Sequence, residues 1–125
     1  MNHIALRKIL PKGVAFVLFA ATLTITAPTS FAHTELVSAT PAANSTVSAP
    51  KEVAITFSGA LEPKFSKIMV MDASGKSATK EAPAVHGKLM TIVLPVLAPG
   101  TYMVHWIAVS TDSHRSHGEY KFTVK

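Results

Sequence analysis

The sequence contains no cysteine and no glycine-rich phosphate-binding loop. The absence of cysteine excludes disulfides, thiolate metal sites and cysteine nucleophiles, so stability depends on an apolar core with or without a bound metal. Beyond residue 32, no stretch sustains a helical period of apolar residues over three turns. That absence argues against a helical domain, and the short runs that remain have the alternating polarity of strands.

The first 32 residues have the features of a secretory leader. Arg7, Lys8 and Lys12 precede an apolar run over residues 13–25, and Ser30-Phe31-Ala32 gives the small-x-small pattern of a cleavage site. The apolar run is shorter than the roughly 20 residues that a membrane-spanning helix needs. We therefore predict that residues 1–32 are a signal peptide cleaved after Ala32, and that residues 33–125 form the mature domain.

The charge of the mature chain argues against nucleic acid as a partner. Three of the twelve Lys and Arg residues lie in the leader, which leaves nine against seven Asp and Glu, a net charge of +2. The lysines are spread singly among polar neighbours, whereas a nucleic-acid-binding domain usually has a clustered basic face. The remaining 93 of 125 residues suffice for one small domain.

Alternation of apolar and polar residues predicts an all-β domain. Tyr102, Val104, Trp106 and Ala108 share one face of the longest predicted strand, residues 101–110, whose other face is also mostly apolar, as in a central strand. Six or seven short strands at this spacing indicate a Greek-key sandwich of immunoglobulin-like or cupredoxin-like type. The other residues predicted to point inward are Val53, Ile55, Phe57, Ile68, Val70, Met90, Ile92, Leu94, Tyr120, Phe122 and Val124.

Cleavage after Ala32 would make His33 the first residue of the mature chain. Its free α-amino nitrogen and its imidazole Nδ1 can then chelate one metal ion in a six-membered ring. An internal histidine cannot do this, because its backbone nitrogen is a peptide amide. The prediction of a metal chelate at His33 therefore depends on the predicted cleavage after Ala32.

Asp112 and His114 are candidates for the remaining ligands. They are two positions apart, so in an extended segment both side chains leave the backbone on the same side. With His33 they supply three nitrogens and one oxygen, which suits tetragonal Cu(II); nickel(II) accepts similar geometry, and zinc prefers tetrahedral sites. The sequence leaves open whether Asp112 binds the metal or orients a ligand. The motif is short, and a polar turn with an incidental histidine would look the same.

The other histidines and the methionines are weaker candidates. We interpret His117 as a residue that orients a ligand or as a solvated loop residue, His105 as a hydrogen-bonded core histidine, and His86 as a turn residue. The methionines form no M-x-x-M cluster, so core packing is predicted for them and a Cu(I) thioether site is not.

The mature sequence resembles the CopC/PcoC family of small periplasmic copper-binding proteins along its whole length. The segments that carry the resemblance are HTELVSATPA at residues 33–42, VAITFS at 53–58, GTY at 100–102, Trp106, AVS at 108–110, DSH at 112–114 and GEYKFTV at 118–124. Their coincidence in order and spacing is more specific than either ligand segment alone.

The resemblance implies a seven-stranded β-barrel or sandwich in the periplasm that binds Cu(II) through His33, Asp112 and His114. It also implies a role in copper resistance and delivery to a CopD-type membrane copper transporter. Two departures from the family matter: residues 72–77 lack the methionines of a Cu(I) loop, and Gly59 stands where some members have Glu. We do not assign Glu62 as its replacement. The expected protein is a monomeric, Cu(II)-only member that contacts the membrane only through its leader.

Three functions compete at this stage. The first is a Cu(II) carrier or buffer without catalysis. The second is an oxidase of the copper monooxygenase kind, because an N-terminal His paired with another His also resembles a histidine brace. The third is a structural immunoglobulin-like domain without metal. A hydrolase has little support, because Ser110, Asp112 and His114 lie too close along one segment to assume a catalytic triad.

Overall fold

Two four-stranded sheets pack face to face. A computed structural model describes residues 34–125 and Gly13. In chain order the strands are β1 (Leu36–Thr40), β2 (Thr46–Val47), β3 (Glu52–Phe57), β4 (Lys67–Met71), β5 (Ala84–His86), β6 (Leu89–Val93), β7 (Gly100–Val109) and β8 (Arg115–Val124). The first sheet has the strand order β1-β3-β6-β5 and the second β2-β8-β7-β4. Among the described residues there is no helix with the length and hydropathy of a membrane-spanning segment.

The prediction of an all-β sandwich is confirmed, although the number of strands differs. The structure has eight strands where seven are expected. The short strands β2 and β5, of two and three residues, are too brief to show alternation in the sequence. The prediction of a cleaved leader over residues 1–32 lies outside the described residues, apart from Gly13.

The core lies between the two sheets and contains the residues that alternation predicted to point inward, except that Tyr120 is only partly buried. Leu61 and Leu97, which lie outside the named strands, also belong to it and were not predicted. Ile55 on β3 pairs in register with Met90 on β6, and both are fully buried. In the second sheet Tyr102 pairs with Phe122, and their rings stack with centroids 5.7 Å apart. Because strand side chains alternate between faces, one register of pairing brings every second residue into this apolar layer.

Trp106 joins the two sheets near the end where β7 leads into β8. Its ring meets Phe57 of the opposite sheet edge to face, with centroids 5.1 Å apart. Gly118 is the register partner of Trp106, and a Cβ at this glycine would lie 2.5 Å from an indole carbon. Glycine is therefore required sterically at position 118, because any side chain there would displace the indole.

The outer face of the second sheet is partly apolar. Met69 on β4 is 47 % exposed, whereas Met90 is fully buried. The prediction that methionines pack in the core is thus right for Met90 and wrong for Met69. Strand β7 is central, as its two apolar faces predicted, because it pairs with both β4 and β8. The outward side chains of β7 are nevertheless not covered by any of the described strands.

Candidate metal centre

The segment that joins β7 to β8 is a tight turn. Ser110 donates its backbone N–H to the carbonyl of His114 at 2.9 Å, and Ser113 donates to the carbonyl of Ser110 at 2.9 Å. Ser113 has a positive φ of 73°, in the left-handed region that non-glycine residues rarely occupy. The extended conformation that we expected for Asp112 and His114 is therefore wrong.

The turn nevertheless brings these two predicted ligands together. Asp112 Oδ2 lies 3.0 Å from His114 Nδ1. Both side chains are accessible, with 61 % and 39 % of their surfaces exposed. The backbone reversal thus produces the proximity that we had attributed to strand geometry.

The Asp112 carboxylate also organises the turn itself. Its Oδ1 accepts a very short hydrogen bond from the Ser110 hydroxyl and a second bond from the backbone N–H of His114 at 3.2 Å. The Ser110 hydroxyl, followed by the contacts with His114, lowers the pKa of Asp112 to about 2. Because these bonds favour the charged form, the carboxylate is ionised at neutral pH.

The contact between Asp112 and His114 determines which imidazole nitrogen of His114 would bind a metal. A neutral histidine that donates from Nδ1 carries its lone pair on Nε2. A carboxylate at Nδ1 both fixes the ring orientation and raises the basicity of the other nitrogen, an arrangement common around metal-bound histidines. The geometry is therefore suited to metal binding through His114 Nε2.

The start of the described chain is fastened beside this turn. Thr34 is buried, and its carbonyl accepts a hydrogen bond of 2.6 Å from the hydroxyl of Ser116, two residues beyond His114. Glu35 donates its N–H to Ser58 Oγ at 2.9 Å and accepts from the Ser58 N–H at 2.8 Å. His33, the remaining predicted ligand, lies outside the described residues.

These anchoring serines were missed by reasoning from the sequence. Ser116 and Ser58 are separated from their partners by 82 and 23 residues along the chain. Serine side chains of this kind carry no distinguishing local pattern. The only available signal was that Ser116 follows His114 by two positions.

The loop from Gly59 to Glu62 borders the same turn. Glu62 donates its N–H to the carbonyl of Val109 at 2.7 Å, and Thr111 donates to the carbonyl of Ala60 at 3.1 Å. A Cβ at Gly59 would lie 3.2 Å from Thr34 Oγ1. Gly59, one of the two positions at which this chain departs from the family resemblance, is therefore next to the first described residues of the chain.

The remaining histidines stand apart from this pair. His105 is half-exposed on the outer face of β7, with Nδ1 3.2 Å from Glu119 Oε2, so it is not a core histidine. His117 is exposed on β8, as expected of a solvated residue, and His86 ends β5 before Gly87. No three His, Asp or Glu side chains within the described residues form a group that could hold a metal.

Comparisons with known proteins agree with this architecture. A family model described as the CopC domain matches residues 36–125. Copper resistance protein C of Escherichia coli is 42 % identical over 106 residues, which cover 77 % of this chain and 84 % of that protein.

Two solved structures are similar in both fold and sequence. The crystal structure of CopC from Methylosinus trichosporium OB3b superposes with a TM-score of 0.70 at 37 % identity, covering 74 % of this chain and 94 % of that one. PcoC, a methionine-rich copper resistance protein from Escherichia coli, gives 0.66 at 42 % identity, covering 75 % and 100 %. With a matching family model over most of its length and a relative this similar, the chain belongs to the CopC family.

Proposed function

We propose that this chain is a periplasmic Cu(II)-binding protein that carries or buffers copper in copper resistance. In this proposal the leader is removed after Ala32, and one Cu(II) ion binds to the amine and imidazole of His33 and to His114, with the carboxylate of Asp112 beside it. The names of the relatives, copper resistance protein C and the copper resistance protein PcoC, support the metal and the process. The oxidation state and the ligands rest on the chemistry of the donors.

The observation that carries the proposal is the fastening of Thr34 beside the turn that holds Asp112 and His114. The Thr34 carbonyl is bonded to Ser116, which follows His114 by two residues on β8. Consecutive Cα atoms are about 3.8 Å apart, so in this proposal a residue before Thr34 would begin within one residue's length of that anchor. A terminal amine and an imidazole there would join His114 in a set of three nitrogens with the Asp112 carboxylate beside them, which suits Cu(II).

Within that set we assign the orienting role to Asp112. Both of its oxygens have partners inside the turn, Oδ1 with Ser110 and the His114 amide and Oδ2 with the His114 ring. Direct coordination through Oδ2 would replace the contact with Nδ1. Asp112 then contributes negative charge close to the ion and holds His114 with Nε2 toward it.

A carrier without catalysis fits this arrangement better than an oxidase. A carboxylate beside the copper takes space that oxygen would need, and the domain is small for a polysaccharide-binding surface. Release to a CopD-type membrane transporter, by a monomeric protein, completes the proposal. Binding should weaken on acidification, because the α-amino group, with an ordinary pKa of about 8, must lose its proton to bind.

The decisive experiment changes the terminus and leaves the fold intact. Processed protein that begins at His33, verified by mass analysis, is titrated with Cu(II) beside a variant with one glycine before His33. We expect one tight equivalent for the first and a loss of most of the affinity for the second, because the extension converts the amine into an amide. A variant with one glycine after Lys125 is the matched control. Equal affinity of the two N-terminal forms would refute the chelate.

A further inference from the structure

A basic hollow lies beside the turn that holds the proposed metal site. Its volume is about 350 Å³, and its floor is formed by Ile107 and Val109 on the outward face of β7. Lys64, Lys67 and Arg115 stand around this floor, and Phe65 and Ser113 also line it. Ser113 is the residue between Asp112 and His114, so the hollow and the proposed site share an edge.

Among the described residues, no acidic side chain forms an ion pair with the three cations of the basic hollow. No carboxylate lines the hollow. Within the described part of the chain, the ion pairs closer than 4.0 Å are His105 with Glu119 and His114 with Asp112, so none involves Lys64, Lys67 or Arg115. Three cations gathered on a domain whose mature charge is only +2 give this surface a local excess of positive charge.

Phe65 adds an exposed aromatic ring to the same surface. It is 61 % exposed in a turn that follows Pro63. Buried Ser66 holds this turn against β7, because its hydroxyl accepts the N–H of Val109 at 3.1 Å. The ring is therefore displayed at a fixed position, between Lys64 and Lys67 along the chain.

We propose that the basic hollow is a contact surface for an anionic lipid bilayer. Lipid phosphates would lie among the three cations, and Phe65 would enter the headgroup region, where aromatic rings are favoured. A protein partner would be expected to need a shaped pocket for the ring, whereas here the ring protrudes from a turn with cations on both sides. This surface extends membrane contact beyond the leader, to which the sequence alone confined it.

The purpose of the contact rests on the proposed function. Bilayer binding through this hollow would bring Ser113, and with it Asp112 and His114, to the membrane surface. A copper transporter in that membrane would then receive the ion across a short distance. The contact itself needs no metal, because none of its residues is among the proposed ligands.

The test uses metal-free processed protein and vesicles of phosphatidylglycerol and phosphatidylcholine in equal parts, with cosedimentation as the readout. The described core lies wholly within residues 34–125, so the processed chain retains it. Each basic residue near an anionic surface contributes about fivefold in affinity. We therefore expect the combined variant K64Q/K67Q/R115Q to bind about 100-fold more weakly, and F65S to lose a smaller factor.

Matched controls separate this surface from net charge and general hydrophobicity. K51Q/K76Q/K80Q removes three exposed lysines that do not line the hollow, and V96S removes a valine that is 95 % exposed in the loop after β6. Both should bind almost as the unmodified protein does, and vesicles of phosphatidylcholine alone should bind none of them. Added salt should weaken the binding through screening.

Several results would overturn the proposal. Absence of binding to the anionic vesicles would do so, as would equal losses in the two triple variants. Displacement by inorganic phosphate beyond the effect of chloride at equal ionic strength would indicate a small-anion site instead of a bilayer contact. Binding to polyglutamate with none to vesicles would indicate a protein partner. Cu(II) titration of K64Q/K67Q/R115Q should remain normal, so failure here is distinguishable from failure of the metal site.

Discussion

Two turns of this protein contain an aspartate whose carboxylate accepts backbone N–H groups of the same turn. In the turn after β4, Asp72 Oδ1 accepts the backbone N–H groups of Ser74 at 2.9 Å and Lys76 at 3.0 Å. In the turn after β7, Asp112 Oδ1 accepts the N–H of His114 at 3.2 Å. In both cases the acceptor bonds the amide two residues ahead, as in an Asx turn.

The residue two positions after the aspartate distinguishes the two turns. The Ser74 hydroxyl donates a hydrogen bond to Asp72 Oδ1 at 2.6 Å, which adds a local bond and no metal ligand. His114 instead places an imidazole against the second oxygen of Asp112. The aspartate thus has a structural task in both turns, and only the histidine and the neighbouring Thr34 make the second a candidate for metal binding. An Asp-x-His motif by itself cannot separate these cases.

The largest expected effect comes from making the second turn like the first. His114→Ser removes a proposed ligand while it keeps the Asp-x-Ser pattern of the structural turn. We expect Cu(II) affinity to fall by more than about 100-fold, beyond the loss typical of residues that only orient a ligand. The thermal midpoint should shift by no more than about 4 °C, because the site is exposed. Isothermal titration and thermal melts of the metal-free protein measure the two effects.

The reciprocal variant is the control for that prediction. Ser74→His creates an Asp-x-His sequence at the first turn, whereas the hydrogen bonds that hold Thr34 and Glu35 within the described residues go to Ser116 and Ser58. It should gain no tight Cu(II) equivalent and should not restore binding in the His114→Ser background. A new tight site at position 74 would mean that the turn alone suffices, against the proposed role of the terminus.

Substitution of the aspartates is expected to have a smaller effect on Cu(II) affinity. Asp112→Asn should weaken Cu(II) binding by about 10-fold to 100-fold, the range for residues that orient a metal ligand. Asp72→Asn, its counterpart in the structural turn, should leave the affinity unchanged. A complete loss of binding in Asp112→Asn would instead identify Asp112 as an indispensable direct ligand.

The smallest effect is a pH dependence shared by both turns. The pKa of Asp72 is lowered, mainly by the Ser74 hydroxyl, and the pKa of Asp112 is lowered to about 2. A depressed folded pKa contributes stability above the unfolded value of about 3.9 and loses it as the pH falls toward the folded value. In metal-free protein, the difference in thermal midpoint between the unmodified chain and Asp112→Asn should therefore close as the pH falls from about 4 to about 2.

Asp72→Asn should show the same sign, since its carboxylate is stabilised by the same kind of bonds. A difference that widens on acidification, in either variant, would contradict the linkage. This measurement sharpens the comparison, because it tests the shared structural task of the two aspartates without reference to metal.

The sequence alone was informative about the core because strand periodicity is local. The inward positions of β3, β6 and β7 follow from alternation over five to ten residues, and Ile55, Met90 and Val104 are all fully buried. The same alternation places Met69 on the face opposite Ile68 and Val70, but it could not predict that this face is left exposed. Whether an apolar face is covered depends on which sheet it meets, and that is decided by residues distant in the chain.

The candidate site was predictable in its residues and less so in its geometry. Asp112 and His114 were identified from their chemistry and spacing, but the backbone between them reverses at Ser113 instead of extending. The bond from Ser116 to Thr34 joins segments 82 residues apart. No local pattern encodes such a contact, so the way the chain start is held became visible only in three dimensions.

The hydrogen bond from Ser116 fixes the position of Thr34 at the start of the described domain. Thr34 is buried and its carbonyl is bonded to Ser116. A leader removed one residue early or late would leave the free amine on Ala32 or on Thr34 instead of on His33. Under the proposed function, the peptidase that trims the exported precursor would therefore act as the final assembly step of the metal site. A molecule cleaved at the wrong residue would fold normally and yet remain unable to bind Cu(II) tightly.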